Sequence, residues 1–319
     1  MQKNVKTISG FFAASLLGLF LLSGCEKDNS DAPPTTVVDV LTDNGYSTLT
    51  SLAVTANLGP TLTSNGPFTV FAPSNDAFAG VTPPTGSALS NLLKYHVING
   101  QGLTAANVLA LSNGNLVKVI MDNGDSTFVR ASAAGVFVNG IQVTNADLSA
   151  DNGVVHGIGR ILFPPTGNLV ETAISTPGFD LLVKAVVKVS TGATGANNIA
   201  ELLSTLNGVT VFAPTNAAFQ ALFANAAFPF RQINDIPNDV LRTVLLHHAL
   251  PARAFSNDLE NGNITMANGS NLAVSGVGTA SISLKGSETV FNNADAGISA
   301  TNIMTRNGVI HVINQVLIP

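Results

Sequence analysis

The sequence predicts an α+β protein in which one domain occurs twice. Three landmarks carry that expectation. Phe71-Ala-Pro-Ser-Asn-Asp-Ala-Phe78 returns as Phe212-Ala-Pro-Thr-Asn-Ala-Ala-Phe219. Leu92-Leu-Lys-Tyr-His-Val97 returns as Leu245-Leu-His-His-Ala249, so that His96 matches His248. Asn152-Gly-Val-Val-His156 returns as Asn307-Gly-Val-Ile-His311, and each copy then runs apolar to Pro164 or Pro319. Three landmarks in one order, twice, are the mark of a duplication. A chain of 319 residues is long enough for two such domains, each with its own core.

The chain opens on an address. Lys3 and Lys6 precede an apolar run from Ile8 to Leu22, the charge-then-apolar layout of a secretory signal. The run is short of the ~20 residues that a membrane-spanning helix needs. It ends in Leu22-Ser-Gly-Cys25, which resembles the lipobox of bacterial lipoproteins. That resemblance implies cleavage before Cys25, lipidation of its thiol, and a lipoprotein held at the outer membrane of the cell envelope. Residues 1–24 are thus read as the signal peptide. Residues 25–36 are read as a flexible tether, because they are polar and proline-bearing. The acidic residues after Cys25 resemble the surface-export signals of some Bacteroidetes lipoproteins, although a plain solvated linker accounts for them equally well. Cys25 is the only cysteine, so the domains depend on packing and hydrogen bonds rather than disulfides.

Two domains follow, residues 37–165 and 166–319. In the second, Phe179, Leu182, Val183, Val186 and Val187 fall at i, i+3, i+4, i+7 and i+8, one stripe of a helix. Ile199, Leu202, Leu203 and Leu206 repeat the pattern until Asn207-Gly208 stops it. Leu49, Leu52 and Ala53 are the less regular counterpart in the first domain. A short buried strand comes next, Phe68–Phe71 or Val209–Phe212, ended by Pro73 or Pro214 because proline has no N–H for a ladder. Ser74 and Thr215 then offer hydroxyls as helix N-caps, with Asp76 in the first turn of one copy. Phe78 and Phe219 are expected to pack the new helix onto the strand.

The following helix carries one stripe in both copies: Leu89, Leu92, Leu93, His96 and Val97 match Leu241, Val244, Leu245, His248 and Ala249. His96 and His248 therefore lie on its apolar face, while Tyr95 and His247 point to another side. The rest of each domain reads as strands. Asn139-Gly140 between apolar residues signals a hairpin, Ile282 and Leu284 alternate with Ser281 and Ser283, and Asn292-Asn293 reads as a turn. The second domain has extra residues within Leu222–Asn238, whose Phe228-Pro-Phe230 is expected to cover a surface or the seam between domains.

Together these segments resemble the fasciclin-like domain, over about residues 36–165 and 166–319. The resemblance implies a wedge of β-sheet with packed helices, displayed at cell surfaces and associated with adhesion and matrix contact. Two segments tied to integrin binding in animal members have partial matches here. Tyr95-His96 keeps the Tyr-His pair, whereas His247-His248 lacks the phenol. Asn302-Ile303-Met304 approaches a segment ending Asp-Ile-Met, with Asn in place of the acid, and the first copy has Ala146-Asp147-Leu148. These residues are the candidate binding positions: Tyr95, His96, His247, His248, Asn302, Ile303 and Met304.

Composition narrows the function further. Only 10% of residues are charged, the formal charge is −5, and there is no basic cluster, which excludes nucleic acid as an expected partner. Trp is absent, so a Trp-lined sugar platform is unavailable. All five histidines sit in the landmarks, yet a histidine on a helical core stripe is ordinarily a buried imidazole bonded to backbone. His247 and His248 face about 100° apart on a helix and make poor joint ligands, so no metal or other cofactor is expected. No nucleophile elbow, phosphate loop or dinucleotide fingerprint occurs; Gly276-Val-Gly278 lacks the third glycine and reads as a turn. Asp125-Ser126-Thr127 resembles a short bacterial O-glycosylation sequon, with a solvated turn as the plainer reading. The expectation is a lipid-anchored, non-enzymatic surface protein mediating adhesion or matrix contact with a protein or glycan ligand. The alternative is an envelope protein that binds a polysaccharide or small ligand in a cleft between the domains.

Overall fold

Two strands that are apolar almost throughout, Phe68–Pro73 (β1) and Val209–Pro214 (β8), are buried at every residue and lie inside two sheets. The computed structural model describes residues 34–277, 282–286 and 295–319. The signal sequence, Cys25, Ser281 and Asn292-Asn293 therefore lie outside the described residues, as does Gly278. Gly276 stands at φ 74°.

The first repeat begins with α1 (Val37–Asp43), α2 (Ser47–Thr55) and α3 (Gly59–Leu62) ahead of β1. It continues through α4 (Gly86–Lys94), β2 (Val97–Asn99), α5 (Ala105–Ser112), β3 (Val117–Ile120) and β4 (Ser126–Ser132). It ends in β5 (Gly135–Val138), β6 (Ile141–Ala150) and β7 (Gly153–Ile158). The second repeat opens with α6 (Leu169–Ser175), α7 (Asp180–Ser190) and α8 (Ile199–Thr205) ahead of β8. Then come α9 (Asn216–Ala224), α10 (Asn238–His247), β9 (Ala249–Leu250), β10 (Gly262–Thr265) and β11 (Asn271–Ser275). Its last strands are β12 (Ser283–Lys285), β13 (Ala296–Met304) and β14 (Gly308–Ile313).

Among the described residues the sheets run β2-β1-β7-β6-β5-β4-β3 and β9-β8-β14-β13-β12-β11-β10, one order repeated. In each, only the pair formed by the first long strand and the last is parallel. Its register is also repeated: Phe71 stands opposite His156 as Phe212 stands opposite His311. Helices α1, α2 and α4 bring Val40, Leu49, Leu89 and Leu93 against Phe68, Val70 and Val155. A second cluster, around Phe71, Tyr95, Val129, Val138 and Leu162, fills the other part of the repeat. The second repeat divides in the same way around Phe219 and Leu245 and around Phe212 and Leu272.

Short helices need caps, and the repeats supply them. Thr36 with Asp39 and Asn168 with Glu171 form capping boxes at the starts of α1 and α6. Thr35, assigned to the tether by composition, is already bonded into the fold through Asp151. Several local expectations change. Val187 is 54% and Leu206 49% exposed, because the buried face of α7 turns through Ala185 and Val189, and α8 ends at Thr205. Thr215 accepts the Ala218 N–H and opens α9, but Ser74 makes no such bond and precedes only a short 3-10 turn, Asn75–Phe78. Phe78 packs on Leu92 and Ile161, beside α4 rather than on the strand. The insertion bearing Phe228 covers the core of its own repeat, where Phe228, Ile233 and Ile236 are buried.

The predicted hairpin at Asn139-Gly140 forms, with Val138 paired to Ile141 and positive φ at both turn residues, 47° and 72°. At Gly140 the second repeat also comes close enough to leave no room for a side chain. A Cβ there would lie 2.6 Å from the Phe255 Cβ and 2.6 Å from the Asn302 Nδ2.

Candidate functional site

The repeated polar residues build the scaffold. His96 and His248 follow the last turn of α4 and α10, each 2% exposed. In each, Nδ1 donates to the carbonyl one turn back, Leu92 at 2.9 Å or Val244 at 2.7 Å. Nε2 accepts an N–H from the chain beyond the last strand, Leu162 or Leu317, both at 2.9 Å. Burial pulls both imidazoles down to about 4, so they are neutral in the fold.

His156 and His311 use the opposite tautomer. Nε2 donates to the carbonyl of Leu103 at 2.7 Å or Ala254 at 3.0 Å. Nδ1 accepts the backbone N–H of Asp147 at 3.2 Å or Asn302 at 3.4 Å. The Asp147 carboxylate stands 3.9 Å from His156 Nδ1, but burial holds that ring below its usual range, so no ion pair results. Phe71 and Phe212 stack on the two rings at 5.7 and 5.6 Å. Asp147 and Asn302 sit at φ 59° and 63° in bulges of β6 and β13, and each side chain accepts an N–H, from Ala105 or Ser256 at 2.8 Å.

Tyr95 is fully buried; its hydroxyl donates to the Ser126 carbonyl and accepts from Asn139 Nδ2. His247, also fully buried, meets Ser270 Oγ at 2.7 Å, and its Nε2 has no partner among the described residues. The structure therefore takes Tyr95, His96, His247 and His248 away from the surface. Asn302, Ile303 and Met304 lie instead where the repeats meet. Asn302 Nδ2 donates to Ser256 Oγ and to the Gly140 carbonyl of the other repeat. Met304 joins Phe255 and Val309 in an apolar cluster with Leu116 and Phe128 from the first repeat. Thr127 of the possible sequon is buried in β4, while Ser126 lines a small pocket beside Arg306.

Charge reinforces that seam. Arg130 Nη1 meets Asp258 Oδ1 at 2.8 Å, and its Nη2 donates to the Asn257 carbonyl at 3.0 Å. Burial pushes the Asp258 carboxyl up, outweighing the opposite pull of the Phe255 N–H and Arg130. From the other side, the Arg253 guanidinium lies 4.2 Å from the Phe128 ring centroid and donates to the Gly308 carbonyl. Burial pulls Arg253 down to about 10, which leaves it charged at neutral pH.

Next to this contact the repeats enclose a cleft of about 480 Å³. Its walls come from Asn139, Ile141 and the Arg160–Pro164 segment on one side and from Thr172, Thr176 and Thr301–Met304 on the other. Among the described residues, no group of three His, Cys, Asp or Glu converges as metal ligands do, and no helix is long and apolar enough to cross a membrane.

The Fasciclin domain family matches residues 44–164 and again 187–319. The chain belongs to that family. The second match begins inside α7, whereas the fold of the second fasciclin domain begins at α6. Protein sll1483 of Synechocystis is 36% identical over 140 residues, 41% of this chain and 74% of that protein. Transforming growth factor-beta-induced protein ig-h3 of Sus scrofa is 28% identical over 276 residues, 83% of this chain. The chain spans only 36% of the length of that animal relative. A solved domain pair from the insect cell adhesion molecule fasciclin I aligns over 88% of this chain and 95% of that one, at 18% identity and a TM-score of 0.41.

Sequence reasoning overlooked the residues that join the two fasciclin domains and line their cleft: Arg130, Asp258, Arg253, Arg160 and Thr172. A signal was present. In the alternating strand Ser126–Ser132 the inward positions are Thr127, Val129 and Ala131, so Phe128 stands on the outward face, where an aromatic is out of place unless something covers it.

Proposed function

We propose that the protein is a non-enzymatic adhesion module of the cell surface, tethered through a lipid on Cys25 and making contact with matrix or neighbouring cells. One observation above all supports this: the two fasciclin domains meet through an apolar cluster, the ion pair of Arg130 with Asp258 and the cation–π contact of Arg253 over Phe128. A pair locked in this way presents two surfaces at a fixed spacing, which favours avidity without a new contact. The landmark His and Asn side chains are engaged inside the fold, so recognition falls to other residues.

Two measurements test the proposal. Cells grown with labelled palmitate should label the wild type and not Cys25→Ala; label on both sinks the anchor. Cells lacking the protein should lose attachment to each other or to glycan-coated surfaces; attachment equal to wild type sinks adhesion. A second reading, ligand binding in the interdomain cleft, is favoured by the volume of that cleft, which lies in the range of small-ligand sites.

A further inference from the structure

The interdomain cleft has a chemical character that narrows its ligand. Its lining includes one cation, Arg160, and no carboxylate. Arg160 is exposed, has no ion-pair partner among the described residues, and makes only a long 3.5 Å bond to Thr301 Oγ1. Most of its donors are free to turn into the cleft. A guanidinium presents a planar fork that a carboxylate fills with two parallel bonds.

The second observation is independent of Arg160. Thr172 lines the opposite wall from α6, is 6% exposed, and its buried Oγ1 has no hydrogen-bond partner among the described residues. A buried hydroxyl without a partner is costly and uncommon in folded proteins. The hydroxyl is closed to solvent as Thr172 stands, so a ligand hydroxyl satisfies it when the side chain turns about χ1 toward the cleft. Thr166, Ser175 and Thr176 add further hydroxyls around the cleft.

Phe163 supplies the third element. It is 56% exposed at the cleft, where its ring can cover the C–H face of a pyranose. A dianionic phosphate would call for more than one cation. A neutral sugar would offer Arg160 hydroxyl oxygens but no charge to complement its own.

From these features we propose that the cleft binds a sugar residue carrying one carboxylate, a uronic acid, with Arg160 receiving the carboxylate and Thr172 a ring hydroxyl. The residue comes either from a free sugar acid or from a unit within an acidic polysaccharide. This proposal rests on the second functional reading and not on adhesion.

Calorimetric titration of the full chain with D-glucuronate, D-galacturonate, polygalacturonate and D-glucose tests it. Binding of a uronate at least about tenfold tighter than glucose is expected, with about tenfold or greater loss in Arg160→Gln. Thr172→Val, which keeps shape but removes the hydroxyl, should weaken binding by a smaller factor. Thermal unfolding of both variants at or above the wild-type temperature separates lost binding from lost fold. Free uronates binding as well as the polymer identifies a single-residue ligand, and binding of the polymer alone identifies a chain; both support the assignment. Glucose binding as tightly as uronates, with Thr172→Val weaker and Arg160→Gln unchanged, overturns the acidic sugar but keeps the cleft as a site. No binding of any of the four overturns the acidic sugar and, with it, the reading of the cleft as a saccharide site.

Discussion

Arg130 of the first fasciclin domain and Asp258 of the second meet at 2.8 Å, with side chains only 19% and 10% exposed. Their attraction is set against desolvation, which already raises the Asp258 carboxyl. Removing one partner leaves the other uncompensated in the seam. Arg130→Met should therefore destabilise the protein by about 2–5 kcal/mol in urea unfolding. The double variant Arg130→Met with Asp258→Leu should recover more than half of that loss. A double variant as unstable as the sum of the singles would show that the two side chains do not act on each other.

Asp147 and Asn302 occupy matching bulges but have different duties. The Asp147 side chain needs only an acceptor for the Ala105 N–H, so Asp147→Asn should change stability by less than about 1 kcal/mol. Asn302 also donates to Ser256 Oγ and across the seam to Gly140, so Asn302→Asp should cost about 1–3 kcal/mol. Equal effects in thermal melts would contradict this difference in roles.

Gly140→Ala combines two penalties. The position has φ 72°, where a side chain is strained by about 1–2 kcal/mol, and its Cβ would collide with Phe255 and Asn302. The expected result is a loss of at least about 2 kcal/mol, with the seam opened. Faster hydrogen exchange at both Gly140 and Phe255 would report that opening; exchange unchanged at Phe255 would contradict it.

His96, His248 and His311 are held down to about 4 by burial, against a usual 6.5. Between those values the unfolded chain binds protons that the fold refuses. Stability is therefore full above about pH 6.5 and falls as pH drops toward 4, by about 3 kcal/mol per imidazole at most. Urea midpoints measured from pH 8 to 4 should stay level and then decline through that window. A flat profile would mean that the rings take up protons in the fold as readily as in the unfolded chain.

Much of this fold could be read from the chain because duplication shows each device twice. Proline-ended strands, the Asn139-Gly140 hairpin and the helical stripes follow from local rules that the sequence states directly. What the polar landmarks do was less visible. Asn75 and Asn216 tie the strand exit to the N–H groups of Thr48 and Leu181, and Asn152 and Asn307 hold those of Val37 and Leu169. Each bond spans many residues, so spacing could not announce it. The seam was harder still. Its members differ between the copies by necessity, since Arg130 must meet an acid that only the other copy carries, and a search for sameness passes over them.

The parallel pairing of β8 with β14 sets Val209 beside Gly308, with the rest of the sheet between them in the chain. Neighbouring β9 covers only one edge of β8, so its other edge stays open until Gly308–Ile313 has been made. The second domain therefore cannot close while its chain is still being made. It must be almost whole before it folds, and until then the apolar edge of β8 stays unpaired.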